Sequence, residues 1–317
     1  MGFGVGHVLA PGSRESFAWN APPADPAIKT WIHLDFTQPE TRAWLDERTS
    51  IDEAAREALI TENTRPRCLE FDSGVLINLR GVNLNPGAEP DDMISLRIWV
   101  EAGEVITMSQ RRLLAVEDVQ RAMQRGQGPE DPGTLIAEIA RRLHRRLEPV
   151  IDGLDESLEA LEDRTTPDPD VGLHRSLGDL RRSVIGLRRY LAPQREALSR
   201  ASRLTSEWLS DAAREQLRES TDAFTRAVEI LDELRDRASI TREQISSELS
   251  AEQNRRLYAL SLITALFLPL GFVTGLLGIN VGGMPGAEDS LGFPIVVGIL
   301  GALFFIELVI LRRAKWF

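Results

Sequence analysis

Two long apolar runs near the C-terminus constrain the fold of this chain more than any other feature. They span 257–279 and 293–311, and a short polar segment, 280–292, separates them. A membrane-spanning helix needs about 20 mostly apolar residues. Because lipid offers no hydrogen bonds to the backbone, each run must be helical. The sequence therefore predicts a C-terminal hairpin, 257–317, of two transmembrane helices.

Basic residues flank this hairpin at its outer ends. Arg255 and Arg256 precede the first run, and the tail 312–317 carries two arginines and one lysine. The connecting segment holds only two charged residues, Glu288 and Asp289. Since Lys and Arg concentrate on the cytoplasmic side, we expect both termini in the cytoplasm and the segment 280–292 outside. The basic ends also suit contact with lipid headgroups.

The part before the hairpin divides by its hydrophobic pattern. Residues 1–130 predict an α+β cytoplasmic domain. Its strands are expected at 31–36, as a pair within 67–84 joined by a turn at 72–74, at 94–100 and at 105–110; helices are expected at 39–47 and 51–62, and an irregular stretch at 1–26. Residues 131–256 predict a stalk of long helices at 135–164, at 171–200 and from 210 onward.

The third long helix continues into the membrane. Apolar residues recur every seven positions at Leu217, Phe224, Leu231, Ala238 and Ile245, which is typical of lengthwise helix packing. Neither Pro nor Gly occurs between 210 and 269. The sequence therefore predicts one helix over 210–279, about 105 Å long.

Composition excludes several functions. The formal net charge is -11, so there is no basic face for nucleic acid. Cys68 is the only cysteine, and the four histidines lack ligand spacing, which argues against a zinc cluster or another resident cofactor. The sequence contains no phosphate-binding loop, nucleophile elbow or metalloprotease motif. We therefore expect no enzymatic activity.

The first apolar run carries a stripe of small and polar residues at steps of three or four. These are Ser261, Thr264, Leu268, Gly271, Gly275 and Gly278. Two helices of one chain cannot enclose an aqueous path, so a pore requires an oligomer with the pore on its axis. The stripe fits pore lining, and it equally fits close helix packing, because Gly271 and Gly275 form a GxxxG pattern.

Polar groups at the outer end suggest an ion entrance. A ring of Asn280 carbonyl oxygens suits a hydrated cation, although the residue also suits a helix end followed by a turn. Glu288 and Asp289 would concentrate cations at this mouth. The alternative is that they are simply charged residues of a solvent-exposed loop. Glu307 is the one charge within a span, and we expect it to snorkel or to pair with Arg312 rather than to act in transport.

The sequence at this point resembles a known family. Gly278-Ile279-Asn280 resembles the Gly-Met-Asn signature of the CorA family of divalent-cation transporters, with Ile in place of Met. The continuation 281–286, VGGMPG, is similar to the zinc-transporter (ZntB) branch of that family. The change to Ile puts transfer of Mg²⁺ selectivity in doubt.

The resemblance implies a funnel-shaped homopentamer that takes up Zn²⁺ with proton coupling. It makes Gly278, Ile279 and Asn280 the selectivity filter, with Asn280 holding the hydrated ion. It also implies a set of pore-lining residues: Asn254, Leu257, Ser261, Thr264, Leu268 and Gly271. A Mg²⁺, Co²⁺ or Ni²⁺ channel is the first alternative. A membrane-anchored scaffold or sensor without transport is the second.

Overall fold

The computed structural model describes residues 4–62, 64–101, 103–163, 171–279 and 291–314. The chain divides into two compact units, Met1–Arg242 and Glu243–Phe317. The first unit contains a sheet and most of the helices. The second unit contains the apolar part of the long helix that crosses the boundary, and the last helix.

A seven-stranded sheet forms the centre of the first unit. Its strands are β1 (Gly4–Val8), β2 (Ser16–Phe17), β3 (Thr30–Asp35), β4 (Arg67–Glu70), β5 (Val75–Gly81), β6 (Ile94–Glu101) and β7 (Glu104–Ser109). Their spatial order is β2-β1-β3-β7-β6-β5-β4. Only the β3–β7 pair is parallel among these strands, and Trp31 lies opposite Val105 there. The predicted α+β class is confirmed.

The expectation of an irregular stretch at 1–26 is wrong. Strand β1 pairs with β3 and extends the sheet, and β2 forms its edge. Glycine in a strand weakens the sequence signal for that strand. Here glycine is required by space, because a Cβ at Gly4 would lie 2.6 Å from Leu34 Cδ2 and 2.8 Å from Trp19 Cδ1. The rings of Trp19 and Phe17 cover the two glycines of β1.

Two short helices cover one face of the sheet. They are α1 (Pro39–Asp46), which has Pro39 in its first turn as predicted, and α2 (Glu53–Ile60). Leu45 and Leu59 from these helices pack into a buried cluster with Ile32 and Trp99 from the strands. Removal of these side chains from water stabilises this layer.

Longer helices complete the first unit. They are α3 (Leu114–Gln124), α4 (Pro132–Glu162) and α5 (Val171–Ala201). Helix α4 begins three residues before the predicted start, because Asp131 and Thr134 form a capping box in which the Thr134 N–H donates to Asp131 Oδ1 at 2.8 Å.

Helix α5 is fixed to the sheet where strand β4 runs out. The β4–β5 pairing reaches only to Asn78. Two residues further on, the Arg80 N–H donates to Gln194 Oε1 of α5 at 2.6 Å. Gln194 thus satisfies a buried backbone donor that would otherwise lack a partner, and it fixes the position of the C-terminal half of α5.

The last two helices are α6 (Asp211–Leu277) and α7 (Gly292–Arg313). The single long helix predicted over 210–279 is therefore confirmed to within two residues at its C-terminal end. Its seven-residue apolar positions are buried, including Leu217, Phe224 and Leu231. Arg188 of α5 forms an ion pair with Asp232 of α6, with Nη2–Oδ2 at 3.1 Å, and this pair helps to hold the two helices side by side.

Candidate functional site

Within the described residues, two helices have the length and composition to cross a membrane. Windows of α6 and α7 reach a mean hydropathy of 2.1 and 2.6, and none of either window is buried inside the chain. A buried core helix of a soluble protein would have its apolar side chains covered. Here Leu268 is 69% exposed and Phe293 is 80% exposed. Such a continuous apolar surface requires lipid or further copies of the chain to cover it.

Helix α6 carries every predicted pore-lining residue. Asn254, Leu257, Ser261, Thr264, Leu268 and Gly271 all lie on it, and all six are exposed in the isolated chain. Helical spacing places Ser261, Leu268 and Gly275 on one face. All six are therefore open to lipid, water or another copy of the chain, as is most of the apolar segment around them, for example Phe267 and Phe272.

A groove of about 380 Å³ lies between α6 and α7. Its lining on α6 includes Phe267, Leu270 and Thr274, and α7 contributes Leu300 and Phe304. Of the predicted pore-lining residues, only Gly271 borders this groove. The face of α6 that meets α7 is therefore largely different from the stripe.

The two glycines of the GxxxG pattern are open in the isolated chain. A Cβ at Gly271 or Gly275 would have no heavy atom within 4 Å, apart from chain neighbours and the helix's own backbone. Close packing of this pattern against α7 is therefore not what these glycines provide. Two roles remain for these glycines: packing against another copy of the chain, and pore lining. The sequence alone does not decide between them.

The hydroxyl groups on this segment bond to their own helix. Thr264 Oγ1 donates to the Leu260 carbonyl at 2.8 Å, and Thr274 Oγ1 donates to the Leu270 carbonyl at 3.0 Å. Each hydroxyl oxygen keeps lone pairs that can accept from water. Thr264 on the exposed stripe can therefore contact a hydrated ion through its water.

The predicted filter begins where α6 ends. The Gly278 N–H donates to the Thr274 carbonyl at 2.9 Å, which closes the last helical turn, and Ile279 follows outside the helix. Gly278 is not among the glycines with positive φ, so its conformation is not the usual glycine cap. Three predicted residues, Asn280, Glu288 and Asp289, lie outside the described residues.

Glu307 on α7 differs from the expectation. Its Oε2 atom is enclosed and has no hydrogen-bond partner among the described residues. The described side chains include no ion pair between Glu307 and Arg312, so of the two expected arrangements, snorkelling or pairing, the pairing is not observed. At the start of the apolar segment, Arg256 pairs instead with Glu252, four residues before it on α6.

The described residues contain no group of three or more His, Cys, Asp or Glu side chains able to hold a metal ion. Burial raises the pKa of the Cys68 thiol to about 12, so it remains protonated at neutral pH and is a poor metal ligand. In the described part of the apolar segment, a cation can therefore be contacted by oxygen atoms of the chain, either directly or through the ion's hydration water.

The sequence analysis missed one polar cleft in the first unit. It has a volume of about 570 Å³, lies between the end of α5 and the N-terminal part of α6, and is lined in part by Arg195, Arg200 and Arg203. The signal for it was present, because residues 195, 199 and 203 recur every four positions. Without the fold, nothing indicated that α6 faces them.

Comparisons with known proteins agree on one family. A family model described as CorA-like Mg²⁺ transporter protein matches residues 28–313. The divalent cation transporter CmaX of Pseudomonas aeruginosa is 39% identical over 296 residues, 92% of this chain and 88% of CmaX. A zinc transport protein, ZntB of Yersinia enterocolitica, is 33% identical over 291 residues, 90% of this chain and 87% of that protein.

Solved structures show the same likeness. The structure of full-length CmaX has a TM-score of 0.85 at 37% identity and covers 100% of this chain and 99% of CmaX. The CorA magnesium transporter of Methanocaldococcus jannaschii has a TM-score of 0.82 at 18% identity, again with 100% and 99% covered, which shows a shared fold. By sequence and by fold, the chain belongs to the CorA-like Mg²⁺ transporter family.

Proposed function

We propose that this chain forms a homopentamer in a bacterial inner membrane and takes up Zn²⁺ through a pore on the five-fold axis, coupled to proton entry. In this proposal both termini are cytoplasmic, residues 1–256 form the cytoplasmic domain and stalk, and 257–317 forms the membrane hairpin. No resident cofactor takes part, because the metal ion is the transported substrate.

The observation that carries the proposal is the uncovered stripe on α6. Ser261, Thr264 and Gly275 are exposed and turned largely away from the groove with α7. A polar stripe has no favourable contact with lipid, so it gains from facing a water-filled axis made by several copies. A simple membrane anchor has no need of such a stripe.

The choice of zinc has two supports. The segment 282–286, GGMPG, is similar to the zinc-transporter branch, and several relatives are zinc transport proteins. The competing proposal is a Mg²⁺, Co²⁺ or Ni²⁺ channel. It is favoured by the family's description and by the higher identity to CmaX, a divalent cation transporter.

The proposed mechanism is electrostatic and geometric. Glu288 and Asp289 gather cations at the outer mouth. A ring of Asn280 carbonyl oxygens, behind Gly278 and Ile279, then holds the ion with much of its water, and weak successive sites let it leave again. Apolar levels at Leu257 and Leu268 would close the path by excluding water.

The test is ion entry into liposomes that contain the purified full chain and a zinc-sensitive dye, at two external pH values. We expect faster Zn²⁺ entry from the acidic side and its loss in Asn280→Ala. Asn20→Ala, which removes an exposed amide in the first unit, is the matched control and should transport like the wild type.

Each other outcome selects a different conclusion. Entry that is indifferent to pH removes the proton coupling and keeps the transporter. Entry of Mg²⁺, Co²⁺ or Ni²⁺ that Zn²⁺ does not inhibit favours the competing channel. No flux of any of these ions from a verified oligomer would leave the membrane-anchored scaffold or sensor.

A further inference from the structure

The cleft between α5 and α6 has the composition of an anion site. Its lining consists of Arg195, Glu196, Ser199, Arg200, Arg203, Thr221 and Thr225. Three arginines face one glutamate there, in a chain whose overall charge is negative. The volume of about 570 Å³ lies within the range of small-ligand sites, roughly 300–1,000 Å³.

The fold holds these side chains on facing surfaces. Arg195 and Ser199 lie one turn apart on α5, and Arg203 follows in the turn after the helix, where its N–H donates to the Arg200 carbonyl at 3.0 Å. Arg214 of α6 donates from Nη1 to the Ser202 carbonyl at 2.7 Å. This bond ties the turn that carries Arg203 to the opposite wall.

The arginines are only weakly engaged by carboxylates. Arg200 lies 3.5 Å from Glu70, with both side chains 56% exposed, and Arg195 lies 3.7 Å from Glu196, whose side chain is 73% exposed. Exposed ion pairs of this length are weak, so an anion can displace them readily. For Arg203, the described residues show no ion pair.

The shape and lining select the kind of anion. Arg195 on α5 and Arg203 in the turn after it both line a cleft of about 570 Å³, which leaves room for an anion larger than one phosphate. Arginine binds phosphate oxygens through paired N–H groups, which makes it the preferred partner of such groups. No aromatic side chain lines the cleft, so a nucleobase would have no ring on which to stack.

We propose that this cleft binds a linear chain of two or more phosphates through Arg195, Arg200 and Arg203, with Ser199 as a further donor. The source is either an inorganic polyphosphate or the phosphate chain of a nucleotide. Both share the chemistry that the arginines recognise. The site lies in the first unit, and its binding can be measured without any transport.

The experiment is calorimetric titration of the purified full chain in detergent, in buffer free of divalent cations, with three probes: tripolyphosphate, ATP and inorganic phosphate. We expect saturable tripolyphosphate binding that weakens steeply with added salt. ATP should bind about as tightly as tripolyphosphate, and inorganic phosphate about tenfold or more weakly. The double variant Arg195→Gln/Arg203→Gln should bind tripolyphosphate about tenfold or more weakly than the wild type.

The matched control is Arg175→Gln/Arg182→Gln, which removes the same charge from exposed arginines of α5 that lie at least 13 residues before Arg195 and outside the cleft. This control should keep its affinity within about twofold, since distant exposed charges are screened. Equal loss in both double variants, or no saturable binding by a wild type with a normal melting curve, overturns the proposal. ATP binding that is tenfold tighter overturns the assignment to phosphates alone. A melting temperature of Arg195→Gln/Arg203→Gln equal to the wild type shows that any loss is not unfolding.

Discussion

Acidification should destabilise the sheet of the first unit through His33. This histidine lies on β3, where its Nδ1 atom is 2.9 Å from Thr107 Oγ1 on the neighbouring strand. Burial lowers the pKa of His33 to about 4 and outweighs the nearby Asp35, which raises the pKa, while His7 adds a smaller lowering. His33 is therefore neutral at pH 7.

The surroundings explain why protonation is unfavourable. Trp31 Nε1 donates to the same Thr107 oxygen at 2.8 Å, and the Trp31 ring lies 5.4 Å from that of His7. A protonated His33 would carry its charge in a buried position near the second histidine, His7, whose own pKa is also lowered by burial. The cluster has no place for an added positive charge.

The magnitude follows from the two pKa values. The unfolded chain would titrate His33 near its ordinary value of 6.5, and the folded chain near 4. The unfolded state therefore binds more protons between these values, so the contribution to stability is complete above pH 6.5 and is lost as the pH falls toward 4. Between pH 7 and pH 5 the loss is at most about 2 kcal/mol, since the ring keeps partial solvent exposure.

The assay is denaturant unfolding of the full chain in detergent, followed by tryptophan fluorescence, at pH 7 and pH 5. The wild type should lose stability at pH 5. His33→Gln keeps a side chain that can hydrogen-bond to Thr107 but cannot titrate, so its loss between the two pH values should be smaller by up to about 2 kcal/mol. His174→Gln, which changes a partly exposed histidine on α5, should behave like the wild type. An equal loss in His33→Gln and the wild type would refute the assignment to His33.

Three further predictions follow from the helices. Gly275→Leu should leave the isolated chain unstrained, because among the described residues no atom beyond the helix itself lies within 4 Å of the added Cβ. If this face contacts another copy, the larger side chain blocks that contact, so we expect the oligomer to dissociate in light-scattering chromatography. An unchanged oligomer would mean that this face does not contact another copy. Glu307→Gln replaces a carboxylate of the membrane segment whose Oε2 atom is enclosed and has no hydrogen-bond partner among the described residues. We expect Zn²⁺ entry to persist and its dependence on external pH to be lost. Unchanged pH dependence would exclude Glu307 as the proton-binding group. Phe224→Ala removes a buried ring whose centroid lies 5.4 Å from that of His144. The free energy of unfolding should fall by about 3–5 kcal/mol. A loss below about 1 kcal/mol would mean that α4 and α6 move together and close the cavity.

Much of the fold could be predicted because its signals are local. The long helix α6 was visible in an uninterrupted run with apolar residues every seven positions, and Leu217 and Leu231 are buried as that pattern requires. Strand β1 was missed because its stability depends on residues far along the chain. Gly4 and Gly6 have no β-propensity of their own, and pairing with β3 together with covering aromatic rings makes them a strand.

The candidate site divides in the same way. Spacing predicted that Ser261, Leu268 and Gly275 share a face, and the structure leaves that face uncovered. Spacing could not say which face of α6 would meet α7, because both faces are apolar enough to do so. The pairing of Glu307 with Arg312 was predicted from their distance along one helix alone, which does not fix the direction of either side chain.

The chemistry of the uncovered face limits how selectivity can arise. Ser261 and Thr264 offer hydroxyl oxygens, and the described part of the stripe contains no His, Cys or carboxylate. Oxygen ligands suit Mg²⁺, whereas zinc sites in proteins usually employ imidazole or thiolate. In the proposed function, a preference for Zn²⁺ is therefore assigned to the handling of the hydrated ion near Asn280 rather than to bonds along α6. If both ions enter, Ser261→Ala should slow the entry of Zn²⁺ and Mg²⁺ equally, while Asn280→Ala should change the ratio of the two entry rates. A two-ion competition assay measures both. The opposite pattern would place the selectivity on the helix.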